Sequence, residues 1–232
     1  MTATPDPTPE SDCRVIAIDG PAGSGKSTTA KMVAARLGYQ YLDTGAMYRA
    51  LTWHALQHGI SPADARRLGL VANQMQIEFE THADINRVFL NGSEVTSEIR
   101  TPEVTRQVSE ISAHPEVRRA MVEKQKAMGE RGCIVAEGRD TTTVVFPDAE
   151  LKVFLVASVD ARAERRLRDL QQMGISSTIE EVRDDLERRD RFDSNREHSP
   201  LTRADDAHEV DTTELTIQGQ VEHIIELLRQ LV

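Results

Sequence analysis

Apolar positions along this chain alternate between two rhythms. Val15-Ile16-Ala17-Ile18 is a short unbroken run that soon meets Gly20, the pattern of a strand covered on both faces. Ala30, Val33, Ala34 and Leu37 then recur at i, i+3, i+4, i+7, and Gly38 supplies a helix stop. Tyr39 to Leu42 reads as a second strand, followed by a helix from about Ala46 to His58 that closes at Gly59. Between about Leu70 and Ser97 the pattern changes. Met75, Ile77 and Phe79 alternate with Gln76, Glu78 and Glu80, as in a half-buried strand. Arg87 to Leu90 meets Asn91-Gly92, a strong hairpin signal, and Glu94-Val95 returns. Two helices follow, each opening on proline, at Thr101-Pro102 and His114-Pro115. Cys133 to Ala136 and Leu151 to Ala157 are again buried-strand runs. Thr178 and Glu181 form a capping box for a helix rich in Arg and Asp. Ile217, Val221, Ile224, Ile225, Leu228 and Leu231 mark a final amphipathic helix.

Strands separated by helices define an α/β chain with a central parallel sheet, interrupted by a small antiparallel insert. At 232 residues this suits one domain, from about 13 to 232. Residues 1–12, rich in Thr, Pro and acid, lack the basic and apolar regions of a signal peptide and read as a disordered tail. With no apolar run near the roughly 18 residues of a membrane span, the expected location is the cytoplasm, with no membrane partner. The two cysteines, Cys13 and Cys133, make no disulfide framework; each adjoins an apolar run and reads as a small buried hydrophobe.

A net charge of −10 counts against a general nucleic-acid binder. Its distribution is more telling. Arg162, Arg165, Arg166, Arg168, Arg183, Arg188, Arg189, Arg191 and Arg196 fall within 35 residues, and no lysine follows Lys152. Because Arg outnumbers Lys 23 to 5 overall, coding bias and solvated helix faces account for most of these. Planar bidentate guanidinium donors are nevertheless most useful where phosphate is handled.

Gly20-Pro21-Ala22-Gly23-Ser24-Gly25-Lys26-Ser27-Thr28 carries the chemistry. Gly20-x4-Gly25-Lys26-Ser27 fits the P-loop pattern, in which inward backbone N–H groups and a helix N-terminus cradle phosphate. A chance match in a chain this long is on the order of one per cent, and here the motif also follows a strand and opens a helix. Lys26 is placed to reach the β- and γ-phosphates of ATP, and Ser27 to ligate Mg²⁺. The loop alone does not separate kinases from ATP-driven switches or binding modules. A GTPase is disfavoured by the absence of Asn-Lys-x-Asp.

Further segments narrow the choice: Asp43-Thr44-Gly45-Ala46-Met47-Tyr48-Arg49; Glu98-Ile99-Arg100-Thr101; Gly138-Arg139-Asp140; and Thr143-Val144-Val145-Phe146-Pro147-Asp148. Arg189-Asp190-x-x-Asp193-Ser194-x-Arg196 followed by Ser199-Pro200-Leu201 belongs with them. With the loop, they make the chain resemble bacterial cytidylate kinases from about Arg14 to Val232, hairpin insert included. The resemblance implies a three-layer P-loop kinase fold with a monophosphate-binding insert at about 70–110 and a helical lid at about 158–193. It implies transfer of phosphate from ATP to CMP or dCMP, with Mg²⁺; a monomer is the expected state. Such a reaction requires no general base, because the acceptor oxygen is already ionised.

Carried over by position, the resemblance gives Lys26, Arg139, Arg189 and Arg196 the catalytic charge. Arg49 and Arg139 become ligands of the acceptor phosphate, with Thr44 near it. Ser109, Arg118 and Asp140 become readers of the cytosine edge, Asp193 a partner of the ribose hydroxyls, and Arg189 and Arg196 a phosphate clamp. On residue type alone, Arg118 would read as a solvated helix face, Asp193 as a helix-surface acid, and Arg49 is ambiguous; Trp53 reads as core packing. The chain departs from the common Asp-Gly-Arg-Asp-Ile-Gly-Thr at Glu137-Gly138-Arg139-Asp140-Thr141-Thr142-Thr143, which leaves the backbone after Asp140 open. A kinase of another small acceptor is the nearest alternative within the fold.

Overall fold

A computed structural model describes residues 13–82, 85–130 and 132–231; the expected N-terminal tail lies outside the described residues. Five parallel strands build the central sheet: β1 (Val15–Asp19), β2 (Gln40–Asp43), β6 (Ile134–Gly138), β7 (Leu151–Val156) and β8 (His208–Asp211), in the order β2-β6-β1-β7-β8. In-register pairs such as Val15 with Ile134 and Asp43 with Glu137 bring the C-terminal ends of β1, β2 and β6 to one edge.

The sheet separates two cores because side chains alternate along each strand. Ile134 and Ala136 join the core formed with α2 (Thr44–Gln57), α3 (Ala65–Gln74), α4 (Pro102–Ala113) and α5 (Pro115–Gly129). Val135 joins the opposite core, filled by α1 (Lys26–Leu37) and α8 (Ile217–Gln230). Trp53 packs, partly buried, against the first core. A separate antiparallel sheet of β3 (Ile77–His82), β4 (Ile85–Leu90) and β5 (Ser93–Glu94) turns through Asn91-Gly92 and contributes Ile77, Val88 and Leu90 to that core. α6 (Val159–Gln172) and α7 (Ile179–Asn195) pack on one another. A small cluster of Ala22, Ala163, Val182 and Leu186 joins them to the loop that follows β1. The Thr178–Glu181 capping box starts α7 as the sequence implies.

Three features depart from the sequence reading. α2 begins at Thr44 rather than Ala46, because the Asp43 carboxylate accepts from Ala46 N at 2.8 Å and caps the helix there. α3 and β8 were not expected at all. The cysteines are not buried hydrophobes: Cys13 is exposed, Cys133 half-buried, and they form a disulfide with a Cα–Cα distance of 4.4 Å. The reason is topological. β1 and β6 are adjacent and in register, so residues just ahead of each strand meet despite a separation of 120 in sequence.

Candidate active site

The phosphate loop leaves the C-terminal end of β1 and opens α1. Gly25 caps that helix in the left-handed region without a side-chain cap, so the first N–H groups of α1 stay available to an anion. Lys26 is buried and donates to the Pro21 carbonyl at 2.8 Å. Burial, reinforced by the guanidinium of Arg139, lowers its ammonium pKa from 10.5 to about 7, against the opposing pull of Glu137, Asp19 and Asp193.

Carboxylates from three strand ends surround the loop. Ser27 Oγ donates to Glu137 Oε1 at 2.5 Å, and Tyr41 Oη donates to the same oxygen at 3.0 Å. Asp43 sits 3.8 Å from Arg49 Nη1 and accepts from Arg100 Nη2 at 3.4 Å. Asp19 is fully buried and receives four donors: the N–H and hydroxyl of both Thr141 and Thr142, at 2.6 to 2.9 Å. This settles the backbone after Asp140. Residues Thr141–Val145 form a π turn aimed at Asp19, and the threonine in place of the commoner glycine adds a hydroxyl donor to it.

Beside the loop opens a cleft of about 910 Å³. Lys26, Ser27, Thr28 and Glu137 line it, as do Tyr48, Ser109, Arg118 and Asp140. Arg49, Arg139, Arg189, Asp193 and Arg196 also line it. Arg118 is buried, donates to Asp140 Oδ2 and to the Ser112 carbonyl at 3.2 Å, and lies 5.4 Å over the Tyr48 ring. Arg139 Nε donates to Asp193 Oδ2 at 3.0 Å. Arg189 Nε, Arg196 Nη2 and Arg118 Nε are buried without a hydrogen-bond partner. Burial, with Arg139 and Arg49 nearby, holds the Arg189 guanidinium down to about 10. Unpaired buried donors beside like charges form a site short of negative charge, suited to an anionic ligand.

All nine residues carried over for the acceptor (Thr44, Arg49, Ser109, Arg118, Arg139, Asp140, Arg189, Asp193 and Arg196) come together here, although Thr44 Oγ1 already donates to the Glu137 carbonyl at 2.6 Å. Gly20, Pro21 and Ser24 of the loop do not line the cleft; Ser24 is buried beneath it. Of the nine clustered arginines, Arg183, Arg188 and Arg191 are spent on exposed ion pairs with Asp160, Asp185 and Glu187. Sequence reasoning missed Glu137 as a partner of Ser27, although an acid ending an apolar strand was visible. It gave no role to Tyr48 and Arg100, although both stand in segments that carry the resemblance, and it missed the stretch Thr213 to Ile217, which lines the cleft together with Arg165, Arg168 and Met173. No local signal marks that stretch.

A parallel sheet with helices on both sides and a phosphate loop at its carboxyl edge defines a P-loop α/β protein of the kinase type. The family model for cytidylate kinase matches residues 16–230, and the chain belongs to that family. It is 47% identical over 213 residues to a cytidylate kinase of Bacillus cereus (strain ATCC 10987 / NRS 248), covering 92% of this chain and 95% of that one. It is 48% identical over 210 residues to a cytidylate kinase of Bacillus thuringiensis (strain Al Hakam), covering 90% and 93%. Among solved structures, a shikimate kinase from Bacteroides thetaiotaomicron covers 93% of this chain at 17% identity and a TM-score of 0.45, too distant to support an inference.

Proposed function

We propose that this protein transfers the terminal phosphoryl group of ATP to CMP and dCMP, giving ADP and the nucleoside diphosphate. One observation carries the reading beyond family membership. A single cleft holds the phosphate loop and the Arg118–Asp140 pair, with Arg49, Arg139, Arg189 and Arg196 also on its walls.

The acceptor phosphate oxygen attacks in line and needs no base, so the protein contributes position and charge. Lys26 and the loop N–H groups hold the donor phosphates; Arg49 and Arg139 hold the acceptor phosphate; Arg189 and Arg196 neutralise charge on the group in transit. Ser109, Arg118 and Asp140 read the cytosine edge, and Asp193 meets the ribose. Ser27 and Glu137 offer a hydroxyl and a carboxylate in contact, an oxygen-only donor pair that fits Mg²⁺ together with phosphate oxygens. Mg²⁺ would there supply charge neutralisation for the phosphate groups. The insert at about 70–110 frames the monophosphate side, and α6 and α7, at about 158–193, act as the lid that excludes water.

The same proposal makes the protein a monomer of the cytoplasm that acts on small molecules and takes no nucleic acid or membrane partner. No helix among the described residues is long and apolar enough to cross a membrane. The Cys13–Cys133 bridge points the other way, since disulfides persist chiefly in oxidising compartments.

The test is ADP release with ATP, Mg²⁺ and a panel of CMP, dCMP, UMP, AMP, GMP and shikimate. CMP and dCMP are expected to be the preferred acceptors. Turnover with shikimate or a purine alone would assign another acceptor. ATP binding without acceptor-dependent turnover would make the protein a switch or binding module.

A further inference from the structure

Arg162 and Asp190 lie outside the cleft, yet both grip the phosphate loop. Arg162, from the first turn of α6, is buried at 4% exposure. Its Nη1 donates to the Ala22 carbonyl at 3.0 Å and to Asp190 Oδ2 at 2.5 Å, while its Nε donates to the Ala157 carbonyl at 3.1 Å. Asp190, from α7, accepts the Ala22 N–H on its other oxygen, Oδ1, at 3.4 Å. One ion pair therefore holds both the N–H and the C=O of a loop residue. The approach is close: a side chain at Gly23, whose φ is +77°, would place Cβ 3.2 Å from the Arg162 Cβ. Ala22 also packs in the apolar cluster with Ala163, Val182 and Leu186.

Asp190 has Arg189 next to it in sequence and Asp193 three residues on, and those two line the cleft, where Asp193 holds Arg139. Arg162 and Asp190 meet through one charge-assisted Nη1–Oδ2 bond and each also holds Ala22, so a shift of the loop at Ala22 is passed to α7 and back. We propose that Arg162 and Asp190 are positioning residues that couple the phosphate loop to α7, so that a filled loop sets Arg189 and Asp193 in register with Arg139. This rests on reading the loop as the ATP site. It requires neither residue to touch a substrate.

The coupling is read by amide exchange in α7 with and without a non-hydrolysable ATP analogue, no acceptor being present. In the wild type the analogue should slow exchange about tenfold or more over residues 179–195. In Arg162→Lys, Asp190→Asn and the double variant the slowing should be no more than about twofold. In each of the three, kcat should fall about tenfold while KM for CMP stays within about threefold, and the double variant should be no worse than the poorer single one. Residues that merely support the fold would lower the melting temperature yet leave analogue-dependent protection of α7 in the folded protein. If Arg162→Lys does not fold, Asp190→Asn carries the test, because its side chain is 21% exposed. Wild-type protection in a folded variant with kcat within twofold would overturn the coupling. So would a wild type in which the analogue protects residues 20–28 but not α7. Protection of neither segment in the wild type would instead remove the ATP reading of the loop.

Discussion

Arg118 and Asp140 neutralise one another in the wall of the cleft: the guanidinium donates to one carboxylate oxygen, and Arg196 Nη2 stands 3.8 Å from the other. Both side chains are buried. Cytosine presents an amino donor at N4 and an acceptor at N3, whereas uracil reverses both. A carboxylate beside a guanidinium complements cytosine and sets acceptor against acceptor for uracil. Each unpaired buried group costs about 1–3 kcal/mol. Asp140→Asn, which adds a donor, should lower kcat/KM for CMP roughly ten- to a hundredfold and narrow the CMP-to-UMP ratio. Arg118→Met should impair CMP use and leave ATP binding nearly intact. Steady-state kinetics with both acceptors decide the matter, with circular dichroism to show that each variant folds. An unchanged ratio in both folded variants would assign base reading elsewhere.

Lys26→Ala removes a buried amino group already oriented on the loop. It should reduce kcat by about two orders of magnitude or more, as loss of one preorganised donor does. A kcat within about threefold of wild type would mean that the loop is not where phosphate is transferred.

The lowered Lys26 pKa has a measurable sign. With a value of about 7 in the free protein against an ordinary 10.5, the side chain is mostly neutral at pH 8. Phosphate anions stabilise the charged form and raise the value, so ATP binding at pH 8 should take up protons, and affinity should weaken as pH rises above 7. For the free protein the unfolded chain binds more protons between about 7 and 10.5, so this group alone makes stability rise with pH across that window. Calorimetric titration of ATP at pH 8 in two buffers of different ionisation enthalpy reads the uptake. Identical heats in both would remove this account of Lys26.

Glu137 accepts from Ser27 and Tyr41 on one oxygen, which fixes the carboxylate beside the helix N-terminus. Glu137→Gln keeps the shape and removes the charge. It should raise the Mg²⁺ concentration for half-maximal rate about tenfold or more, while CMP affinity measured without metal stays near wild type. An unaltered Mg²⁺ dependence would place the metal on other oxygens.

What the sequence disclosed was local, and what it hid was assembled by distance. The loop, the hairpin at Asn91-Gly92 and the proline-led α4 and α5 each carry their own signal within a few residues. α3 carries one as well, an Asp64 cap ahead of Leu68, Val71 and Ala72 at helical spacing, but it went unread with Gly69 in its midst. The structure needs that glycine: a Cβ there would lie 2.6 Å from the Glu116 Cβ of α5. In β8 only Val210 is buried, between charged and exposed neighbours, so no apolar run marks it. At the site, residue types identified the acceptor cluster only through the family resemblance, since Arg118 and Asp193 look like surface charges until α5 and α7 are placed. Arg162 stood only among nine clustered arginines and Asp190 only within the Arg189-Asp190-x-x-Asp193 segment, and nothing in the sequence paired them, because their meeting point is the backbone of Ala22.

The Cys13–Cys133 bridge ties the chain just before β1 to the chain just before β6, whereas the cleft lies at the opposite, C-terminal ends of those strands. Closing a loop of this length restricts the unfolded chain, and loss of such a bridge costs about 2–5 kcal/mol. For a domain of this size each kcal/mol moves the melting temperature by about 2–4 °C. Reduction, or Cys133→Ser, should therefore lower it on the order of 4–20 °C. The turnover number at 25 °C should stay within about twofold, because the β1–β6 ladder from Val15 to Asp19 still sets the strand ends that carry the site. Thermal unfolding with and without reductant, alongside a thiol count, makes the test. Two free thiols in the native protein before reduction would remove the bridge. A melting temperature that ignores reduction of a bridge shown to be present would mean that the ladder alone holds these strands together.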